Sequence, residues 1–567
     1  MAEIAGQKSD SKRRSSLLKE FAEPGWTAAA LVVCAIVGLP LVSLVVIAFG
    51  AEQNIWPHLL STVLPGAVRT TIFLMVGVGV LTTIVGTGTA WLVTMYRFPG
   101  AGLFKWLLLI PLAVPTYLSA FSYMELWDYS GWVQSALRAM FGWQSARDYR
   151  FPEIRSLGGA VFVMSFVLYP YVFLTARASF IQQSVCLLEA GRVLGRTPWG
   201  VFTAVGLPLA RPAIVAGVTL ALMECLNDIG AVEYFGVNTL TVSVYSTWLE
   251  RGSLAGAAQI ACVMLVFVLA LLWAERASRK RQHFHHTTGR YREIAAPELS
   301  GWVKYGAMLA CALPILLGFV MPSVVLVEAT IIFWESVFET SFWIALRNSV
   351  VLAGFAALFA VAIGLMLAFS NRLIGTPLIR FATRFASIGY AVPGTILAIG
   401  MLIPMAGLDN AIDGFSRSAF EISTGLILSG TAFAIIFTYV VRFLAISHGA
   451  IDSGYAKLSP HLDFAARTLG RTATGTLREV HLPLLKPALG AAALLVFVDS
   501  MKELPATLLL RPFNFDTLAT HVYTLASLDM FEEAAPAALM IVLAGTLPVV
   551  FLNKMIASGR PGGEPPV

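Results

Sequence analysis

The sequence is poor in charge and in cysteine, and it lacks a phosphate-binding loop. Asp, Glu, Lys and Arg make up 13% of its 567 residues while 57% are hydrophobic, and the mean hydropathy is +0.76. A soluble domain carries about a quarter charged residues, so a soluble enzyme of this size is excluded. The five cysteines (Cys34, Cys186, Cys225, Cys262, Cys311) are far apart and form no CxxC pair. That excludes a disulfide framework and a cysteine zinc site, and leaves them as small packing residues. The nearest approach to a phosphate loop runs from Gly191 to Gly195 and on to Arg196-Thr197. It has one residue too few between its glycines and no lysine to reach phosphate. The chain is therefore expected to hydrolyse no ATP itself, and to be neither an enzyme nor a cofactor binder. Alternation of apolar and polar residues over about ten positions is also missing, which excludes a membrane β-barrel.

What the chain has instead is continuous apolar runs. They fall near 27–50, 68–95, 103–124, 157–180, 213–232 and 256–275, and again near 305–330, 348–370, 385–406, 422–446, 488–510 and 535–557. Runs of about twenty apolar residues cross a hydrocarbon core as helices, so an all-α polytopic membrane protein of about twelve spans is expected. The basic residues cluster in alternate loops: Arg97 and Lys105, then Arg372, Arg380 and Arg384, with Arg276, Arg279, Lys280, Arg281, Arg290 and Arg292 in a central linker. Acids occupy the loops between, as in Glu328, Glu335 and Glu339 or Asp529, Glu532 and Glu533. Positive loops stay in the cytoplasm, which places both termini and the linker inside. The formal charge of +6 then reflects those loops rather than nucleic-acid binding. The polar, basic segment 1–24 reads as a cytoplasmic tail, since the apolar stretch behind it is too long for a cleavable signal. His283, His285 and His286 in the linker lack a carboxylate or cysteine to complete a ligand set, and a solvated basic linker explains them.

The chain also repeats itself. Arg69-Thr70-Thr71 returns as Arg347-Asn348-Ser349, and Ala113-Val114-Pro115 as Ala391-Val392-Pro393, both 278 residues later. Arg192-Val193-Leu194-Gly195-Arg196-Thr197 returns as Arg467-Thr468-Leu469-Gly470-Arg471-Thr472, and Leu207-Pro208 as Leu482-Pro483, 275 residues later. Six spans per copy give both copies one orientation, a parallel repeat about an axis along the membrane normal. The expected layout is a tail (1–24), a first module (25–275), a basic linker (276–304) and a second module (305–567). Coupling loops fall at about 185–212 and 448–487.

The loop after each fourth span is the most ordered-looking polar stretch. It reads Glu189-Ala190-Gly191, Gly195 and Leu207-Pro208 in one copy, and Asp463-Phe464-Ala465-Ala466, Gly470 and Leu482-Pro483 in the other. A helix-ending glycine followed by Leu-Pro describes a short helix, a turn and a second short helix beneath the membrane. The pattern resembles the EAA loop of ABC importer permeases. The resemblance implies that each loop docks on an ATPase subunit, through Glu189, Ala190, Gly191, Gly195 and Arg196 in one copy and Asp463, Ala465, Ala466, Gly470 and Arg471 in the other. The first copy has Gly191 for the second Ala. In the second copy Phe464 stands where the family has Glu, with Asp463 one residue earlier, so equal coupling by the two halves is not implied.

Acids recur inside the fifth span of each copy. Glu224 and Asp228 are four apart, on one helical face, and 275 residues later stand Asp499 and Glu503. Counted from a helix start near Ala213, Glu224 falls about 16 Å in, near mid-membrane. Intramembrane carboxylates are functional candidates by default, and four of them would make a path attractive to a hard cation; no tight metal site is expected. The alternative is structural, with Lys502 neutralising an acid. The stretch Met501–Thr520 and the fused two-module layout are similar to the ferric iron permease family. That resemblance implies a bacterial inner-membrane protein serving a periplasmic iron-binding protein and two copies of a cytoplasmic ATPase. Thiamine and aminophosphonate permeases share the fused layout, and thiamine, a cation, is the rival cargo. A proton-coupled carrier is the alternative from another class, against which the paired loops argue.

Overall fold

The computed structural model describes residues 24–50, 55–183, 189, 191, 193–279 and 297–558. Among them, eleven helices are long and apolar enough to cross a membrane, twelve if one bent pair counts as a single span. The bent pair is the expected third span of the first copy, where Ala101–Ala113 and Thr116–Phe141 meet at 92°. Its cause is the repeated Ala-Val-Pro. Proline disfavours helical backbone in the residue before it, and Val114 is extended at φ −95°, ψ 115°. Pro115 then starts the Thr116–Trp127 helix. Val392 is extended in the same way, at φ −88°, ψ 123°, and Pro393 starts Gly394–Phe420. The motif is a built break in both copies.

The duplication holds element by element. Long helices Val63–Met95 and Thr340–Leu373 correspond, as do Leu157–Gln182 and Ala432–Tyr455. Single π-helical turns occur at Phe202–Gly206 and Leu477–His481, each leading into the next long helix, Leu207–Asn227 or Leu482–Met501. Here the structure differs from the expectation of a separate second short helix beneath the membrane. Leu207-Pro208 and Leu482-Pro483 directly follow those π turns, and the polypeptide stays helical through each Leu-Pro.

Packing divides the chain into two compact units. One comprises Met1–Ile47 with Arg347–Phe515. In it the first helix, Pro24–Gly50, lies on helices of the second repeat. Trp26 meets Phe369 edge-on at 4.9 Å, and Gly400 lets the Pro40 carbonyl come closer than any Cβ would allow. The other unit comprises Ala48–Leu346 with Asp516–Val567. In it Trp302–Ile315 and Met321–Ile332 pack on first-repeat helices, and the Tyr123 hydroxyl donates to the Leu317 carbonyl at 2.7 Å. Phe531–Ser558 approaches the Ala113 break through Gly545. Pro297 and Leu299, at the end of the basic linker, exchange backbone hydrogen bonds with Arg97 at 3.0 and 2.9 Å. Most of that linker, with its three histidines, lies outside the described residues, as do Cys186 and Ala190.

Candidate functional site: the paired loops and the buried acids

Each loop closes around its glycine in one geometry. Gly195 has φ +77° and Gly470 φ +75°, the left-handed conformation that glycine adopts without a Cβ penalty. The wrap lets Arg196 N–H donate to the Gly191 carbonyl at 3.1 Å and Arg471 N–H to the Ala466 carbonyl at 3.0 Å, the six-residue closure of a Schellman helix end. One residue on, a threonine starts the next helix. Thr197 Oγ1 accepts from Gly200 N–H and Thr472 Oγ1 from Gly475 N–H, each at 3.1 Å, as N-caps do.

One small residue of the motif faces inward in each loop. Gly191 and Ala466 are buried, and a Cβ on Gly191 would rest 3.4 Å from Val201, so the Gly-for-Ala departure is mild. Facing out are Glu189 and Arg196 with Val193, Leu194 and Trp199 in the first loop, and Ala465 and Phe464 with Leu469 in the second. Leu194 and Leu469 occupy equivalent positions and are 80% and 81% exposed. Val193, Leu194 and Trp199 leave an exposed apolar group on the first loop, and Phe464 and Leu469 one on the second. Arg471 pairs with Glu479 at 3.0 Å, but both are half exposed and such a pair contributes little.

Asp463 does not face outward. Its Oδ2 accepts from Arg372 Nε at 2.9 Å and its Oδ1 lies 2.6 Å from His481 Nε2. A carboxylate only accepts, so His481 Nε2–H is the donor. Nδ1 then meets the Tyr455 hydroxyl at 3.3 Å. Burial alone would raise the Asp463 carboxyl; the His481 hydrogen bond and the Arg372 charge outweigh it and hold the group below its ordinary range.

The four membrane acids separate into two kinds. Asp228 and Glu503 are 8% and 5% exposed and stand just beyond the ends of Leu207–Asn227 and Leu482–Met501. Each turns its carboxylate onto the amide three residues ahead, Ala231 at 2.8 Å and Ala506 at 3.1 Å. They thereby seat the short helices Gly230–Tyr234 and Pro505–Leu510. Their further partners differ: Asp228 accepts from the Thr116 hydroxyl, whereas Glu503 pairs with Arg442 at 3.1 Å. Glu224 and Asp499 lie one helical turn earlier and are partly exposed, and Asp499 pairs with Lys502 at 2.8 Å. Glu224 sits in the last turn of a helix running from Pro198. The earlier depth estimate took the helix to begin near Ala213, and the continuous π turn removes that starting point. Among the described residues no group of three or more His, Cys, Asp or Glu could hold a metal ion.

Residues 83–283 match the family model of the binding-protein-dependent transport system inner membrane component. That stretch is a domain of the binding-protein-dependent permease type. This permease is 26% identical over 491 residues to the Fe(3+)-transport system permease protein FbpB 2 of Haemophilus influenzae, covering 85% of this chain and 88% of that one. It is 21% identical over 487 residues to the ferric transport system permease protein FbpB of Actinobacillus pleuropneumoniae, covering 82% and 67%. The sulfate transport system permease protein CysT of Escherichia coli is 29% identical over 268 residues, 46% of this chain and 94% of that one. The relatives are by name transport permease proteins, and the matched family is by its description the inner membrane component of binding-protein-dependent transport systems.

Sequence reasoning missed several residues that build the permease's loops and acid sites. Arg442 stands inside an apolar run, and the default that singled out the acids applies to it equally. Thr197 and Thr472 carried a signal too, a threonine directly before a short helix. Arg372 and His481 carried none, because their link to Asp463 spans 91 and 18 residues of chain.

Proposed function

We propose that this permease forms the translocation path of an ATP-driven importer that moves ferric iron from periplasm to cytoplasm. It would receive the metal from a periplasmic iron-binding protein. Two copies of a cytoplasmic ATPase would dock on the loops around Gly195 and Gly470, with both termini on the same side as the loops. The reading is carried by the duplicated loop with its exposed Leu194 and Leu469. The cargo is supported by the ferric permeases, which match this chain across both repeats, whereas the sulfate permease matches the length of one. Basic loops on one side support the orientation.

Of the four acids, Asp228 and Glu503 are better suited to seating helices than to binding cargo, and Lys502 offsets Asp499. The test is uptake of radioactive iron by cells lacking the chain and complemented with it, with sulfate and thiamine uptake as controls. Restoration of iron uptake alone is expected; restoration of sulfate or thiamine uptake instead would overturn the cargo. Glu224→Gln with Asp228→Asn, read for uptake and membrane level in parallel, separates a path role from a structural one.

A further inference from the structure

The register position that carries the exposed acid Glu189 in the first loop carries exposed Phe464 in the second. The acid beside Phe464 is turned away from that surface. Asp463 lies in the loop helix His461–Thr468, and its two oxygens are taken by Arg372, at the end of Thr340–Leu373, and by His481, in the π turn before Leu482–Met501. Arg372 reaches a third helix: its terminal nitrogens donate to the Tyr455, Leu458 and Ser459 carbonyls at 3.0 to 3.3 Å, where Ala432–Tyr455 ends. His481 closes the circuit on the Tyr455 hydroxyl. One carboxylate thus joins the loop helix to three long helices of its unit. The corresponding first-repeat residues are Leu188, Thr94 and Gly206, which cannot form such a circuit.

We propose that Asp463 is a positioning residue that fixes the second coupling helix to its membrane helices, and that the ATPase meets this helix through an apolar face while meeting an acid, Glu189, on the first loop. The proposal rests on the docking reading given above. Its physical content is that two copies of one ATPase land on chemically different seats. The second seat is rigid and apolar, built on Phe464 and Leu469. The first owes part of its grip to charge and is therefore weakened by salt. Arg372 keeps its carbonyl partners when Asp463 is changed, so Asp463→Asn loosens the tie without stranding a bare cation.

The test uses the full chain purified from its native membrane together with the ATPase that accompanies it. In hydrogen exchange, Asp463→Asn should speed exchange of 461–470 by about tenfold or more, the loss of charge-assisted hydrogen bonds, and leave 193–200 unchanged. Asp463→Glu should restore part of the protection. Cysteine crosslinks to the ATPase from Leu194→Cys and Leu469→Cys read the two seats separately. Glu189→Gln should weaken the first and spare the second, and ATP hydrolysed per substrate moved should rise in Asp463→Asn at normal membrane level. If Asp463→Asn is not inserted, His481→Phe removes one arm of the tie and should give the same local exchange. Unchanged exchange in 461–470, equal change in both loops, or loss of the Leu469→Cys crosslink on Glu189→Gln would overturn the proposal. Absence of both crosslinks in the unaltered background would instead overturn the docking reading, and the exchange result would still judge the tie.

Discussion

Trp91 and Gly206 stand in the first repeat where Phe369 and His481 stand in the second. Gly206 lies so close under Trp91 that a Cβ would fall 2.5 Å from the ring, and Trp91 also meets Phe180 edge-on at 5.1 Å. In the second repeat the smaller Phe369 leaves room for the imidazole, whose ring lies 5.6 Å from it and 5.3 Å from Tyr455. One repeat fills the space under its coupling loop with a large ring over a bare backbone; the other fills it with a polar circuit. The membrane acids follow the same rule. Thr116, Val167 and Asp228 in one repeat answer to Gly394, Arg442 and Glu503 in the other. A Cβ on Gly394 would lie 2.5 Å from Arg442 Nη1 and 2.6 Å from Glu503 Oε1, so the longer acid and its arginine need the glycine. The shorter acid reaches a threonine instead. Duplicated backbones have kept their geometry while exchanging side chains in compensating sets.

The harshest way to break this comparison is to remove a member of the charged set. Arg442→Ala removes the cation paired with buried Glu503, a loss of about 3–5 kcal/mol, and membrane abundance should collapse. Thr116→Val removes one hydrogen bond to Asp228 and should cost about 1–3 kcal/mol. Arg442→Leu combined with Glu503→Gln should recover abundance relative to Arg442→Ala. Equal damage from Thr116→Val and Arg442→Ala, measured by quantitative blotting of membranes, would mean that the two sets are not alternatives.

A milder break concerns the ring over the backbone. Gly206→Ala forces Cβ into Trp91 and should destabilise by about 1–3 kcal/mol, as overpacking does. Adding Trp91→Phe, the residue of the other repeat, should return most of that loss. A double-mutant cycle on the thermal midpoint of the detergent-solubilised protein measures the coupling. Additive effects would show that the glycine and the tryptophan do not compensate each other.

Much of this architecture was legible in the sequence because it rests on local signals: apolar run length, the proline break after Ala113-Val114, and the glycine that ends each loop helix. The role of Asp463 was not. Local reading put it beside the motif's missing Glu and so on the ATPase surface, whereas its partners lie on other helices that only folding brings near. The depth of Glu224 went astray for a related reason. Leu207-Pro208 looks like an interruption, but the π turn before it carries the helix through, and the helix begins earlier.

Acid provides a further way to sharpen the contrast between the loops. The Asp463 carboxyl is held below its ordinary value of 3.8. A depressed carboxylate contributes stability that is present above the unfolded value and lost as pH falls through the folded one. The tie should therefore be indifferent to pH from 8 to 5. Exchange of 461–470 should rise below 3.8 in the unaltered protein, and Asp463→Asn should lack this acid limb. A rise already at pH 6 would assign the tie to another group.

The smallest expected effect is also the one that should be equal in both repeats. Gly195 and Gly470 share a left-handed φ, and open space surrounds the position of a Cβ on either. The only internal penalty of Gly195→Ala or Gly470→Ala is the strain of placing Cβ in that conformation, about 1–2 kcal/mol. Asn tolerates it better and should cost less. A Cβ at either site meets nothing within 4 Å among the described residues, and the added effect of tryptophan beyond alanine is read against ATPase capture. Thermal midpoints should fall alike for the two alanine variants, while copurification of the ATPase should fall further with Gly195→Trp and Gly470→Trp. A tryptophan variant that copurifies as well as its alanine counterpart would mean that the ATPase does not cover that glycine, and the geometry shared by the two turns would then serve only to end a helix.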